Sequence, residues 1–375
     1  MKILIVVTNE YSEENYKKFL SIIEDTGNNF AGFISVYENE ICNLQILDKK
    51  YTMYPAKYIP QLEYDKILIA DKIQSTATNI YHKLLNFEIP SEKIEEIFWL
   101  IKEFMTAKYE DCNDNIILET LNYWKTHEIN VFNQHLANVA DSFSEVFIDK
   151  SCDLPYIVIE SITGKKHKIY YPKDGAGSFY NINGKNYVVN IFREQLPTSP
   201  HLYMKDSHKI DEGDILIDAG VCEGNFALRN IDICSKVYLF EPDPKWEKPL
   251  WYTFKDFEQE IIMFPNFLSG VTEGNSITLD DAIPELNGEK IFLKMDIEGA
   301  EPAALRGGKN LLTNNKVKIS ACSYHNSNDI VKIKSILKNY GYKTQTSNGH
   351  MVFLYDPNIW DTMDFRKGVV YAENY

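Results

Sequence analysis

The sequence predicts an α/β protein in which two parallel-sheet domains are joined by a helical region and a small β-rich region. Two observations predict this class. Short apolar runs alternate with amphipathic helical patterns at the start of the chain, and the same alternation returns after residue 206. The chain has 375 residues, enough for two or three domains of about 150 residues each.

The N-terminal domain is predicted over residues 1–105 as a Rossmann-like α/β layer. Its apolar runs KILIVVT, FAGFISV and YDKILIA are separated by amphipathic segments, which is typical of strands in a parallel sheet. The turn after the first run, Thr8–Ser12, contains no glycine that would let the backbone approach a pyrophosphate. The sequence therefore predicts no dinucleotide site in this domain.

Two shorter regions follow. Apolar residues three and four apart predict helices from Ser91 to Ile148, of which residues 106–150 form a helical connector. Residues 151–205 are predicted as a small antiparallel β-rich segment, because the runs YIVIESI, HKIYYP, FYNI and NYVVNIF are separated by glycine turns.

The last domain, residues 206–375, shows five strand-then-helix units followed by a terminal hairpin. The hairpin is predicted at Asn348-Gly349, since this dipeptide suits a type I′ turn between two alternating runs. A Rossmann-like, seven-stranded parallel sheet that ends in an antiparallel hairpin is the layout of class I methyltransferases.

Charge and composition exclude several classes of partner. Lys and Arg total 39 against 54 Asp and Glu, a net charge of −15, so the protein repels phosphate backbones and we expect no nucleic-acid partner. No apolar stretch reaches the ~18 residues of a membrane span. The six cysteines form no C-x-x-C pair and the N-terminal apolar run is too short for a signal peptide, so we expect a cytoplasmic protein with reduced thiols.

A glycine-rich turn ends the first strand of the last domain. The pattern Asp-x-Gly-x-x-x-Gly is formed by Asp218, Gly220 and Gly224, and its glycines allow a ligand to approach closely. It differs from the G-x-G-x-x-G dinucleotide fingerprint. Glu241 ends the next strand about twenty residues later, where a carboxylate can accept both hydroxyls of a ribose.

Further polar residues follow the fourth and fifth strands. Asp296 and Glu298 could hold a substrate, act as a base or bind a divalent ion, and the metal question stays open. Glu298 and Glu301 could instead stabilise the N-terminus of the next helix. His325 ends the fifth strand and is a candidate base opposite Asp296, and His201 is a second candidate.

These segments resemble the FkbM family of S-adenosylmethionine-dependent methyltransferases. The resemblance rests on DILIDAGVCEGNFAL, FEPDP, TLDDA, the SYH strand end and above all KMDIEGAEPAALRGG, and it covers the C-terminal domain. It implies S-adenosylmethionine as cofactor, bound at Asp218, Gly220, Gly224 and Glu241, and O-methylation of a small-molecule or glycan hydroxyl. From its position after the fourth strand we expect Asp296 to contact the cofactor as well. The N-terminal domain resembles those attached to glycan-modifying enzymes, which favours a sugar acceptor.

The catalytic assignment is an inference from position. We expect His325 to remove the hydroxyl proton, oriented by Asp296, with Glu298 beside them. One alternative is a non-catalytic scaffold or binding module that retains the fold. A second alternative, a dinucleotide-dependent oxidoreductase, is disfavoured because neither α/β domain carries G-x-G-x-x-G. Neither the oligomeric state nor the acceptor can be read from the sequence.

Overall fold

The computed structural model describes residues 1–71, 74–132, 142–189 and 192–375. The chain divides into two compact units: residues 1–131 with 354–364, and residues 132–353 with 365–375. Within the described ranges no helix has the length and apolar character needed to cross a bilayer. The α/β class predicted from the sequence is confirmed.

A six-stranded sheet lies at the centre of the first unit. Its strands are β1 (Lys2–Val6), β2 (Asn29–Ser35), β3 (Cys42–Ile46), β4 (Lys49–Pro55), β5 (Lys66–Ile69) and β6 (Ile94–Glu96). The spatial order is β3-β4-β2-β1-β5-β6, and every neighbouring pair is parallel except β3 with β4. The predicted parallel strands are therefore present, and the sheet gains an antiparallel edge hairpin that the apolar pattern did not indicate.

The described residues of 1–131 also form four α-helices. They are α1 (Glu13–Asp25), α2 (Gln74–Leu85), α3 (Trp99–Tyr109) and α4 (Asn115–Trp124). Ser12 caps the N-terminus of helix α1. Its hydroxyl accepts a hydrogen bond from the backbone N–H of Asn15, and the Asn15 side chain accepts one from the backbone N–H of Ser12. Two backbone donors that the helix itself leaves unpaired are therefore satisfied. Apolar side chains of α2, among them Ile80 and Leu84, join the buried face of β1 and β5 in one core.

The β-rich region contains six strands. They are β7 (Phe143–Glu145), β8 (Phe147–Asp149), β9 (Leu154–Glu160), β10 (Lys166–Tyr170), β11 (Phe179–Ile182) and β12 (Lys185–Val189). They form two antiparallel sheets of three strands, in the orders β10-β9-β8 and β11-β12-β7.

The helical prediction from Ser91 to Ile148 is wrong at both ends. Its start forms a 3₁₀ turn and then β6, and its end forms β7 and β8. These strands exist because they pair with β5, β12 and β9, which are partners that a local helical period cannot reveal. Residues 133–141 of the predicted helix and residues 190–191 of the run NYVVNIF lie outside the described residues.

A seven-stranded sheet forms the centre of the second unit. The remaining strands are β13 (Ile215–Ala219), β14 (Lys236–Phe240), β15 (Glu260–Phe264), β16 (Phe267–Leu268), β17 (Ser276–Ile277), β18 (Lys290–Met295), β19 (Lys316–Cys322), β20 (Lys343–Thr346) and β21 (Val369–Glu373). The order is β15-β14-β13-β18-β19-β21-β20, with β16 and β17 as a separate parallel pair. Every residue of β13 is buried, as expected for a central parallel strand covered on both faces.

The described residues of the second unit form six α-helices. They are α5 (Asn225–Asn230), α6 (Pro244–Phe254), α7 (Leu279–Ala282), α8 (Glu301–Gly307), α9 (Lys309–Asn314) and α10 (Asp329–Asn339). Because β13, β14, β15, β18 and β19 are parallel, their carboxyl ends meet at one edge of the sheet, where the residues predicted as functional follow them.

The terminal hairpin differs from its prediction. β20 and β21 are antiparallel, but the residues between them, 347–368, form a long connection rather than a tight turn. Asn348-Gly349 begins this connection, with Gly349 at φ 76°. The second strand is β21 because its apolar run is buried between β19 and β20 and pairs with both.

The compact units also differ from the predicted domain boundaries. Helix α4 belongs to the first unit, since its buried face contacts α3. Residues 354–364, which include helix α11 (Ile359–Thr362), belong to the first unit as well. The Trp360 ring explains this, because it lies against Phe19 and Tyr11 with centroids 4.5 and 6.2 Å away.

Candidate active site

Two glycines shape the turn that joins β13 to α5. Gly220 has φ 77° and Gly224 has φ 90°, which is the left-handed region that favours glycine. A Cβ atom on Gly220 would lie 1.8 Å from the backbone oxygen of Asp296, and one on Gly224 would lie 2.9 Å from the Phe254 ring. Gly220 therefore lets the turn pack directly against the end of β18, and Gly224 lets it pack against the helix that ends at Phe254.

A buried ion pair lies behind the turn. Lys294 Nζ is 3.0 Å from Asp218 Oδ1 and also donates to the backbone oxygen of Gly220 at 2.6 Å. Burial alone would lower the pKa of Lys294, but the Asp218 and Asp296 carboxylates outweigh it and raise that pKa, so the lysine stays charged. Asp218 is 0% exposed, so it supports the turn from inside.

Lys294 was missed by the sequence analysis. The sequence nevertheless contained an indication of its role. Lys294 lies among apolar residues near the end of the strand KIFLKM, where a lysine needs a buried partner or a route to solvent.

Glu241 connects the glycine turn to the end of β14. Its two carboxylate oxygens accept from the backbone nitrogens of Cys222 at 2.8 Å and Asp243 at 3.0 Å. Cys222 has φ 49°, a strained conformation for a residue with a side chain, and the Glu241 hydrogen bond holds it there. Each carboxylate oxygen keeps a further lone pair, so Glu241 can still accept from two ligand hydroxyls.

Asp296 is the centre of a polar cluster at the end of β18. The hydroxyls of Tyr203 and Tyr324 donate to its two oxygens at 2.7 and 3.1 Å. His201 Nε2 and His325 Nε2 lie 3.2 and 3.4 Å from those oxygens. Burial would raise the pKa of Asp296, but His201, Lys294 and His325 outweigh it and hold that pKa well below the usual range. Asp296 therefore stays ionised.

Both histidines of this cluster are paired with carboxylates. His201 Nδ1 lies 3.2 Å from Glu194, and His325 Nδ1 lies 3.3 Å from the buried Glu301. Burial would lower the pKa of each histidine. Asp296 and Glu194 outweigh burial and raise the pKa of His201 to about 9, while Glu301 and Asp296 raise the pKa of His325. The neighbouring carboxylates therefore stabilise the cationic form of both histidines, which cannot accept a proton.

The loop between β18 and α8 places Glu298 and Glu301 differently. Glu298 has φ 56° and an exposed side chain whose carboxylate lies 3.5 Å from His325 Nε2. Glu301 is fully buried, and its Oε1 accepts from the Ile297 backbone at 2.9 Å, so it fastens the loop instead of reaching solvent.

A cleft of about 360 Å³ opens between the glycine turn, the end of β18 and the β-rich region. Of the predicted site residues, Gly220 and Asp296 line it, whereas Glu241 lines a neighbouring cleft of about 550 Å³. Asp218, Gly224, Glu298 and His325 line neither cleft. The fold thus brings the predicted residues to one edge of the sheet, but they do not all line the same cleft.

Several residues that line the cleft were not predicted, and Glu223 stands out among them. Burial raises the pKa of this half-buried glutamate to about 7. A carboxylate inside the glycine turn was a signal available in the sequence. The others, from the turn, the end of β18 and the β-rich region, include Tyr171, Tyr180, Arg193, Glu194, Tyr203 and Lys294.

The cluster also contains a set of groups that a divalent cation could share. One ligand atom from each of Asp296, Glu301 and His325 lies within 4.8 Å of the others, and His201, Asp296 and Cys322 form a second such set. In both sets a histidine already lies beside a carboxylate, and a protonated histidine would balance the negative charge that would otherwise attract a cation.

Comparison with known families agrees with this geometry. Residues 265–344, from the residue after β15 to the second residue of β20, match the family model of the methyltransferase FkbM domain. The resemblance to the FkbM family is confirmed. The matched segment contains Lys294, Asp296, Tyr324 and His325, whereas His201 and Tyr203 of the cluster lie before it. The FkbM match supports an S-adenosylmethionine-dependent methyltransferase.

Solved structures show weaker likeness. The methyltransferase FkbM of Methylobacillus flagellatus KT is 13% identical with a TM-score of 0.40, covering 99% of this chain and 89% of that chain. The fibrillarin pre-rRNA processing protein of Methanococcus jannaschii is 11% identical with a TM-score of 0.34, covering 67% and 99%. Magnesium protoporphyrin IX methyltransferase of Synechocystis PCC 6803, solved with bound SAM, is 12% identical with a TM-score of 0.28, covering 44% and 71%. No curated protein sequence matches.

Proposed function

We propose that this protein is an S-adenosylmethionine-dependent O-methyltransferase that methylates a hydroxyl of a sugar or surface-glycan precursor. The observation that carries the proposal is the position of Glu241. Its carboxylate accepts a hydrogen bond from the Cys222 backbone in the glycine turn, lines a cleft, and can accept further hydrogen bonds from a ligand in that cleft. The FkbM match supports the same reaction class.

The residues present fit the cofactor. Glu241 would hold the ribose hydroxyls, and the apolar part of its cleft, which includes Leu239, Pro244 and Phe264, would take the adenine. Carboxylates of the adjoining cleft would attract the positive sulfonium. When bound, S-adenosylmethionine supplies an activated methyl group. The protein then has to align the acceptor oxygen and receive its proton.

We assign proton removal to Glu223 in place of His325. Glu223 lines the cleft, and a pKa of about 7 is near the optimum for a base that works at neutral pH. His325 lies behind Asp296 and does not line the cleft, and the carboxylates of Glu301 and Asp296 raise its pKa. Asp296, which lines the cleft and stays ionised, would accept a hydrogen bond from the acceptor and orient it.

The walls of the cleft favour a hydroxyl-rich acceptor. Tyr171, Tyr180 and Tyr203 supply aromatic surface, while Glu194 and Arg193 supply polar contacts. All six cysteines are free thiols, which supports the proposed cytoplasmic location, where nucleotide-activated sugars would be available as acceptors.

Calorimetric titration of S-adenosylmethionine and its demethylated product tests the proposal. We expect micromolar binding by the wild type, loss of binding in Glu241→Ala and unchanged binding in Glu273→Ala, which removes an exposed carboxylate elsewhere in the second unit. Absence of binding by the wild type would contradict the proposal and favour the non-catalytic binding module. If binding occurs, nucleotide sugars and glycans should then be screened for methyl transfer.

A further inference from the structure

The first unit contains a cleft of its own, of about 530 Å³, that the proposed methyl transfer does not use. Part of its wall comes from residues that follow the carboxyl ends of strands: Tyr11 and Asn15 after β1, and Glu96 and Phe98 at the end of β6. Ligands of open α/β sheets bind in crevices outside the carboxyl ends of the strands. The rest of the wall comes from residues 128–131 and 354–360.

Aromatic side chains form much of this wall. Tyr11 and Trp360 are buried and belong to the aromatic core of the unit, so their positions are fixed. The Phe98 ring is parallel to Trp360, with an interplanar angle of 4° and centroids 6.1 Å apart. Tyr355 is 75% exposed, so its ring is accessible to a ligand that enters the cleft.

The charged side chains that line the cleft are all carboxylates, those of Glu96, Glu128 and Asp356. Asn130 Oδ1 is shielded from solvent and has no hydrogen-bond partner among the described residues. A buried acceptor without a partner costs free energy, which a ligand hydroxyl would recover. The described lining residues include neither Lys nor Arg, so an anionic ligand would meet only like charge.

We propose that this cleft is a binding site for a neutral saccharide. A sugar ring presents C–H groups on its face, which pack on aromatic rings, and hydroxyls at its edge, which donate to carboxylate and amide oxygens. The volume lies within the range of about 300–1,000 Å³ of small-molecule sites and is much larger than a single ammonium group requires. The site is independent of the methyl-transfer proposal, since it uses residues of the first unit alone.

The test is saturation-transfer NMR and titration on the full chain. The probes are glucose, galactose, N-acetylglucosamine and maltose, with glucose 6-phosphate and choline as anionic and cationic comparisons. The variants are Tyr355→Ala and Glu128→Gln, whose side chains line the cleft at the surface. The matched controls are Tyr37→Ala and Glu40→Gln, which change exposed residues of the same unit outside the cleft.

We expect at least one neutral sugar to bind, and Tyr355→Ala and Glu128→Gln each to weaken it about tenfold, equivalent to about 1.4 kcal/mol. The controls should bind as the wild type does, and all four variants should retain S-adenosylmethionine binding. The proposal is overturned if none of the neutral sugars binds, or if glucose 6-phosphate or choline binds more tightly than they do. It is also overturned if sugar binding survives both cleft variants and is lost in Asp296→Asn, because the sugar would then occupy the second unit.

Discussion

The ammonium group of Lys294 lies 3.0 Å from the carboxylate of Asp218, and both side chains are almost completely buried. The pair holds the glycine turn at the end of β13, because Lys294 also donates to the Ala219 and Gly220 carbonyls. The geometry of the turn therefore depends on a charge in the neighbouring strand β18.

Breaking this pair should destabilise the protein strongly. Lys294→Met leaves the Asp218 carboxylate buried without compensation, which we expect to lower the free energy of unfolding by about 3–5 kcal/mol. The double variant Asp218→Asn/Lys294→Met removes both charges and should recover part of that loss. Denaturant unfolding of the three proteins measures this, and a loss of under about 1 kcal/mol in Lys294→Met would contradict the role of the pair.

We expect Gly220→Ala to destabilise the protein far more than Gly274→Ala. The added Cβ at position 220 would lie 1.8 Å from a backbone oxygen, whereas Gly274 has a similar positive φ of 59° and nothing within 4 Å. Gly274→Ala should lower the free energy of unfolding by only about 1–2 kcal/mol, because the alanine must adopt a left-handed conformation but meets no neighbouring atom. We expect Gly220→Ala to unfold at lower denaturant concentration than Gly274→Ala and to lose S-adenosylmethionine binding, and equal stabilities would contradict the close approach.

His201 should make stability depend on pH in the alkaline range. Its pKa is raised from 6.5 to about 9 in the folded protein, so its contribution is fully present below about pH 6.5 and is lost as the pH rises through 9. At about 1.4 kcal/mol for each unit of pKa difference, this contribution to the free energy of unfolding reaches at most about 3.5 kcal/mol. Unfolding measured from pH 6 to pH 10 should show this decline in the wild type and in His127→Gln, which changes an exposed histidine, but not in His201→Gln.

Glu223→Gln should remove the base of the reaction while preserving the shape of the cleft. We expect kcat to fall by about 10²–10⁴ and the rise of wild-type kcat through about pH 7 to disappear. Cofactor titration provides the control, since the variant should still bind S-adenosylmethionine. A variant that keeps the wild-type pH profile would show that another group receives the proton.

His325→Gln separates the base predicted from the sequence from the one proposed from the structure. Because His325 lies behind Asp296 and favours the cationic form, we expect its loss to misplace Asp296 and lower kcat by about tenfold, less than in Glu223→Gln. The pH dependence should still follow Glu223. If His325→Gln abolished the pH dependence and Glu223→Gln did not, the original prediction for His325 would be supported instead.

The sequence predicted most of the strands of the second unit but placed the last one wrongly. The runs that became β13, β14, β18 and β19 are continuous and apolar, which is a local property. β21 was missed because Asn348-Gly349 suggested an earlier return of the chain. The position of β21 between β19 and β20 is a long-range pairing that no local turn signal encodes.

The candidate site shows the same division. Asp296 and Gly220 could be predicted because each directly follows a strand of the parallel sheet. Glu223 and Lys294 were missed because their importance depends on burial and on partners in another segment. The predicted role of His325 rested on its ordinary pKa, and the structure surrounds it with Asp296, Glu298 and Glu301.

The sequence by itself determined the α/β class, the glycine turn and the edge of the sheet at which the polar residues gather, because periodicity and glycine positions act over a few residues. Tertiary structure alone decided which charges meet. His201 and Asp296 are far apart in the chain but lie 3.2 Å apart in the fold. Protonation depends on such distances and on burial, so the assignment of acid, base and positioning groups required the folded chain.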